Sequence, residues 1–479
     1  MKKSRKTAVA VVGVLVAGLF TSGAAAAGET PEIEWGSCPS PSAPGLECGV
    51  LRVPVDYREP GGAQLEIAVS RLRSADPARR RGVLLVNPGG PGLAGLDLPA
   101  VIANRGVPRS LLDSYDLVGF DPRGIGRSAP VTCDLSPEQL TTAFGTYAHT
   151  PDDVVAQAGR ATEIAEKCVA KGGDNLPHLT TRNTARDLDR IREALGERRI
   201  SYFGTSYGTY LGVVYAELFP ARTDRFLLDS AASPDLVWRE QFRGWGPGTE
   251  LRFPDFGAWA AARHETYRLG RTVDEVRATY FALAGRLDRT PIAGINGDVF
   301  RQLTRFQLYS DAAFPALAGI WQHLANGEAP PPSGPPAPGD NFVAGYLAVT
   351  CGDVRWPTSL AHYQHAVRTD RARYPMVGAM TANVTPCARW PLAPREAPTE
   401  ISGHGPARFL ILQNLRDPAT VYSSGVRLRA QLGGRARLVT VDEGGHGIYP
   451  GLNPCADELA TRWLVDGALP AGDQWCTSG

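Results

Sequence analysis

The stretch Arg199-Ile-Ser-Tyr-Phe-Gly204-Thr-Ser206-Tyr-Gly208-Thr-Tyr-Leu-Gly212 decides how this chain is read. Arg199 to Phe203 has the composition of a short strand, and about Tyr207 to Phe219 that of a helix. Between them lies the only Gly-x-Ser-x-Gly of the sequence. Small residues two positions either side of the serine permit a sharp strand-to-helix turn that exposes its hydroxyl. The pattern alone is weak. Placed between a strand and a helix, it makes Ser206 a candidate nucleophile. The plainer alternative is a tight turn whose serine caps the helix.

The same grammar extends in both directions. Residues 50–72 alternate apolar and polar around Val53, Val55, Leu65, Ile67 and Val69, the period of early strands. Gly82–Asn87 and Asp116–Phe120 are continuous apolar runs, the mark of strands buried on both faces. Further strands are expected at Asp224–Leu228, Arg408–Leu412 and Ala436–Val441, with helices over Thr184–Leu195 and about Asp457–Val465. Strands alternating with helices predict an α/β fold with a mostly parallel sheet. From 235 to 400 the pattern changes to aromatic, arginine-rich helical stretches. A proline tract, Ala329 to Pro338, interrupts them as a surface loop. The expected organisation is a leader at 1–27, a first core segment at 28–234, a large, mainly helical insertion at 235–400, and a returning core segment at 401–479. There are no internal repeats.

A nucleophilic serine needs a base. His446 stands in Asp442-Glu-Gly-Gly-His-Gly447, a glycine-flanked loop after the expected strand 436–441. On sheets that carry such a serine turn, an acid and then a histidine follow in chain order. Asp417, in Asn414-Leu-Arg-Asp-Pro-Ala-Thr420, follows the strand 408–412 and precedes His446 by 29 residues. It is placed to hold the imidazole tautomer and stabilise the imidazolium. Asp442 and Glu443 are rivals, but they share the histidine's own turn and do not reach its far nitrogen. An oxyanion needs backbone donors. Tyr207, the residue after the serine, supplies one. The loop Pro88-Gly-Gly-Pro-Gly92 supplies the other, from Gly90, with Gly89 as runner-up; Pro91 has no N–H. Asp121-Pro-Arg-Gly124 reads as loop scaffolding. His362 and His365 read as exposed helix residues, since no third metal ligand is placed near them. No metal or cofactor is called for.

The chain has 479 residues, enough for about three domains of ~150 residues. With 43% hydrophobic and 21% charged residues it is globular in composition. A formal net charge of +1 with no basic stripe gives no footprint for nucleic acid. Lys2, Lys3, Arg5 and Lys6 precede an apolar run of 14 residues, Thr7 to Phe20, and then Ala25-Ala-Ala27. This is a secretory leader, too short for a comfortable membrane span. Its removal takes away four positive charges and leaves −3, with no stable membrane insertion. An exported chain meets oxidising conditions, so disulfides are expected among its eight cysteines. Nearest-neighbour pairing is simplest: Cys38–Cys48, Cys133–Cys168, Cys351–Cys387 and Cys455–Cys476. The absence of Cys-x-x-Cys argues against zinc ribbons and dithiol redox work.

Asn87-Pro-Gly-Gly-Pro-Gly92, Asp121-Pro-Arg-Gly-Ile-Gly-Arg-Ser128, Gly204 to Gly212, Cys351-Gly-Asp353, Asp417-Pro-Ala-Thr420 and Gly445-His-Gly447 together resemble the secreted bacterial tripeptidyl aminopeptidase group. These are proline-iminopeptidase-like serine peptidases with a TAP-like C-terminal segment. The likeness runs from about residue 33 to 476. It implies an α/β-hydrolase core with a helical cap, release of short peptides or residues from free N-termini, and Ser206, Asp417 and His446 as the triad. Val421 departs from the proline that often ends the acid motif. An aminopeptidase must hold a substrate ammonium, which calls for cap carboxylates; Glu240, Glu250, Asp255, Glu265 and Asp353 are available. Trp238, Trp245, Phe253, Phe256 and Trp259 are available for an apolar pocket. A carboxylesterase or lactone hydrolase on the same triad is the alternative, favoured by an all-apolar pocket. A non-catalytic secreted binding protein is the third, opposed by the intact triad and oxyanion loop.

Overall fold

Alternate residues of the central strands face opposite sides of one sheet, and each side is covered by helices. The computed structural model describes residues 32–39, 45–331 and 339–478. The leader at 1–27 and residues 332–338 of the proline tract lie outside them. The strands are β1 (Gly36–Ser37), β2 (Leu46–Pro54), β3 (Gln64–Leu72), β4 (Gly82–Asn87), β5 (Tyr115–Phe120), β6 (Ile200–Thr205), β7 (Thr223–Asp229), β8 (Phe409–Arg416), β9 (Ala436–Gly444) and β10 (Gln474–Cys476). Their spatial order is β1-β2-β3-β5-β4-β6-β7-β8-β9-β10. The pairings β1–β2, β2–β3 and β3–β5 are antiparallel; every other pairing is parallel.

In β4, Val83 and Leu85 join one core with Leu188, Ile191 and Leu211 of the helices Thr181–Ala194 and Tyr207–Leu218. Leu84 and Val86 join another, with Leu111, Trp463 and Leu464 of the helices Arg109–Ser114 and Pro454–Asp466. A strand with both faces covered has to be apolar throughout, and all six residues of β4 and of β5 are buried. The short β10, beside β9, is an element that the sequence reading did not include.

Between β7 and β8 the chain leaves the sheet and builds a helical cap. Its own core stacks Phe253, Phe256, Tyr280, Phe300 and Trp321. The helix Asp340–Asp353 turns back to the sheet domain, where Val343 and Leu347 share its core. The helix Pro151–Lys171, which precedes residue 234, packs Ala158 and Ala161 against Tyr363, Ala366 and Val367. The helical layer therefore draws on residues from before the 235–400 insertion as well as from within it. Four disulfides join Cys38–Cys48, Cys133–Cys168, Cys351–Cys387 and Cys455–Cys476. The last ties the helix Pro454–Asp466 to β10. Among the described residues, no helix is long and apolar enough to cross a membrane.

Candidate active site

Ser206 stands alone between β6 and the helix Tyr207–Leu218, at φ 59°, ψ −123°. A left-handed φ in a residue with a Cβ is strained and persists only where the surroundings impose it. Here Ser206 N donates to Asp229 O at 2.9 Å, and Tyr202 Oη donates to Gly208 O at 2.8 Å. A Cβ on Gly204 would meet Gly208 O at 2.5 Å, and one on Gly208 would meet Asn87 Oδ1 at 2.8 Å. The two glycines of the motif are thus required by the closeness of the turn.

The loop after β4 presses on this turn. A Cβ on Gly89 would come within 2.5 Å of Thr205 O. The N–H of Gly89 is committed to Asn87 Oδ1 at 3.0 Å. That of Gly90 has no acceptor among the described residues. Tyr207 opens its helix, so its N–H has no intrahelical acceptor. Of the two glycines weighed from sequence, Gly90 is the one with a free donor beside the serine. Asp121 fixes the loop from behind: its carboxylate accepts from the N–H groups of Gly95, Leu96 and Arg127. The scaffolding role read from sequence for this segment matches these contacts.

Asp417 follows β8 and is fully buried. One of its oxygens accepts from the N–H groups of Ala419 and Thr420 at 2.8 and 2.9 Å, the other from Thr420 Oγ1 at 3.0 Å. Both lie within 3.1 Å of His446 Nδ1. Burial works against a charged imidazole, but the Asp417 carboxylate outweighs it and raises the His446 pKa above its ordinary value. Asp442, the rival acid, pairs with Arg416 at 2.9 Å instead. The histidine loop is held from two sides. From the cap, Tyr309 O accepts from His446 N at 2.8 Å. From the sheet, Asp229 Oδ2 accepts from the N–H groups of Ile448 and Tyr449, both at 2.8 Å.

Asp229 is absent from the sequence reading. Its main chain holds Ser206 while its side chain holds the loop beyond His446. Burial pushes its pKa up to about 6. The signal available in the sequence was its place as the last residue of a buried strand next to the serine turn, a position where an acid is conspicuous among apolar residues.

Ser206 and His446 face one cavity of about 280 Å³. Gly90 and Tyr207 line it beside them, and aromatic side chains close it: Trp238, Phe242, Trp245, Phe306, Tyr309 and Tyr346. Of the five aromatics named from sequence, Trp238 and Trp245 are here; Phe253 and Phe256 are cap core, with Trp259 packed against them.

The five cap carboxylates are not at the cavity, whose wall has no carboxylate among the described residues. Glu240 pairs with Arg239 and Arg243, Glu250 with Arg277, Asp255 with Arg252 and Arg416, and Glu265 with Arg271 on an exposed surface. Asp353 lies behind the wall, accepting from Thr181 N, Thr181 Oγ1 and Trp238 Nε1 at 2.8, 2.6 and 3.1 Å. Burial pushes its pKa up to about 6. Four of the five are thus taken up by arginines, near in sequence or far, and Asp353 by Thr181 and Trp238. His362 and His365 lie on the helix Leu360–Arg373, where His365 Nδ1 is 3.2 Å from Arg368.

Sequence comparison adds lineage to this geometry. The chain is 36% identical over 478 residues to the tripeptidyl aminopeptidase of Streptomyces lividans, covering 95% of this chain and 88% of that protein. The chain belongs to the tripeptidyl aminopeptidase family. Residues 374–476 match the family described as "TAP-like protein", the segment that holds Asp417 and His446. The family's breadth shows in two further relatives from Mycobacterium tuberculosis, each 30% identical over 93% of this chain: the serine protease Hip1, of which 91% is covered, and carboxylesterase B, of which 90% is covered. This member of the tripeptidyl aminopeptidase family is accordingly an enzyme, a serine hydrolase of the peptidase type on an α/β-hydrolase fold.

Proposed function

We propose that the protein is a secreted serine aminopeptidase that releases short peptides or residues from free N-termini through an acyl-enzyme on Ser206. The observation that carries this reading is the Asp417–His446 pair and a strained, half-buried serine lining one cavity. Ser206 Oγ attacks the scissile carbonyl while His446 Nε2 takes its proton. Asp417, fixed by three hydrogen bonds of its own, holds Nδ1–H and stabilises the imidazolium. The N–H groups of Gly90 and Tyr207 receive the oxyanion. Collapse of the tetrahedral intermediate breaks the C–N bond, and His446 returns the proton to the leaving amine. Water, deprotonated by His446, then releases the acyl group. The four disulfides suit an oxidising compartment, which supports the leader reading and export.

The cavity wall favours a second reading. With no carboxylate among the described residues of its wall, the cavity offers a substrate ammonium only aromatic faces and neutral groups such as Gln241 and Thr420, and an apolar ester fits as well. A carboxylesterase or lactone hydrolase on the same three residues is therefore the alternative. A panel of chromogenic peptides of one to four residues, free and N-acetylated, with a simple ester beside them, separates the two. Preference for free peptides by about tenfold or more in kcat/KM supports the aminopeptidase. Equal cleavage of free and acetylated peptides, with faster turnover of the ester, supports the esterase.

A further inference from the structure

Six arginines are buried among the described residues: Arg123, Arg239, Arg252, Arg301, Arg305 and Arg435. Five have carboxylate partners. Arg123 pairs with Asp187, Arg239 with Glu240, Arg252 with Asp255 and Asp311, Arg301 with Asp288, and Arg435 with Glu217. Arg305 has none among the described residues, although only 1% of it is exposed. A guanidinium cannot shed its proton to escape burial, so an unpaired one is costly. The exception also packs against the cavity wall. Its guanidinium carbon lies 4.0 Å from the ring centre of Trp245 and 4.1 Å from that of Phe306, two residues of the cavity wall. Its positive charge opposes protonation of His446.

The hydrogen bonds of Arg305 are incomplete as well. Nη1 donates to Tyr309 Oη at 2.8 Å, while Nε is buried with no partner. Because Tyr309 accepts from the arginine, its own O–H proton stays available to donate elsewhere, and Tyr309 lines the cavity. Asp417, an acid of the site, is already committed to His446 and to three donors of its own loop.

We propose that the missing partner of Arg305 arrives with the substrate: Tyr309 in the wall, with the Arg305 guanidinium behind it, takes a carboxylate carried by the peptide bound in the cavity. This deepens the peptidase reading and rests on it for the substrate being a short peptide. The carboxylate has two sources, an acidic side chain or the C-terminus of a short chain. The positive charge also sets direction, since a substrate ammonium is repelled from this part of the wall.

The test uses the intact enzyme and its Arg305→Met variant with peptides that differ in charge alone. Glu, Gln and Lys are placed in turn at each of the three residues before the cleaved bond, and short peptides are compared with free and amidated C-termini. The wild type should cleave one Glu peptide about tenfold or more faster than its Gln isostere in kcat/KM, with Lys slowest, or should prefer the free C-terminus by that factor. The first outcome assigns a side chain, the second the chain end. In Arg305→Met that ratio should fall to about one and the Lys peptide should gain rate, which a damaged fold does not produce. Arg305→Lys, which keeps the charge without the planar fork, should retain part of the preference. Equal rates for every wild-type pair, or a uniform loss across all substrates in Arg305→Met, overturn the proposal. Equal cleavage of free and acetylated peptides overturns the aminopeptidase reading alone, since the Glu–Gln contrast is still read within the acetylated series.

Discussion

Beneath the cavity, Ser206 is held by the main chain of Asp229 at the end of β7, Asp417 by N–H groups of its own loop after β8, and His446, after β9, by the main chain of Tyr309 in the cap. Around it, most of the aromatic wall comes from the insertion, between Trp238 and Tyr346, with Phe144 added from before it. The floor tolerates no spare atom at Gly89, Gly204 or Gly208, where a Cβ meets backbone or a fixed amide within 2.8 Å. The wall is aromatic, and Arg305, packed behind two of its rings, has no carboxylate partner among the described residues. The floor sets what bond can be broken. The wall sets which molecule is brought to it.

This division predicts that floor substitutions act on rate and wall substitutions on selection. The largest effect is expected for Ser206→Ala, which should lower kcat by at least ~10³-fold with the circular dichroism spectrum unchanged. Near-normal turnover by that folded variant breaks the assignment of the floor. Next is Asp417→Asn, expected to cost roughly 10²- to 10⁴-fold because the imidazole loses its orienting acceptor. Asp442→Asn removes only a partly exposed ion pair with Arg416 and should change kcat/KM by less than about fivefold. The reverse order would move the acid onto the histidine's own loop. In the wall, Trp245→Ala should raise KM by about tenfold on peptide substrates while kcat changes less, measured by steady-state kinetics.

The smallest effect is electrostatic. His446 must be neutral to accept the serine proton, and Asp417 holds its pKa above the ordinary value. Protonation therefore begins at higher pH than for a free imidazole. The acid limb of kcat/KM should have its midpoint above ~6.5, with activity lost as pH falls through it. A pH profile with its midpoint below that value would mean that burial, not the carboxylate, governs the histidine.

What the sequence determined by itself is the framework and the candidates for its site. Apolar runs such as Gly82–Asn87 and the glycines flanking Ser206 are short-range signals, because strand burial and turn sterics act between residues close along the chain; the order of Ser206, Asp417 and His446 is read from the fold that those signals imply. The cysteine pairs followed the same locality, with separations of 10 to 36 residues. The tertiary structure alone decided the sign and lining of the cavity. Whether Asp255 faces a substrate or meets Arg252 and Arg416 depends on residues as far away as position 416, brought together only by packing. The same holds for Asp229, which joins Ser206 to the loop beyond His446 across 219 residues, and for Arg305, whose want of a partner shows only once every other buried arginine has found one. Charges pair across space rather than along the chain, so composition could count the carboxylates and arginines of the cap but not match them.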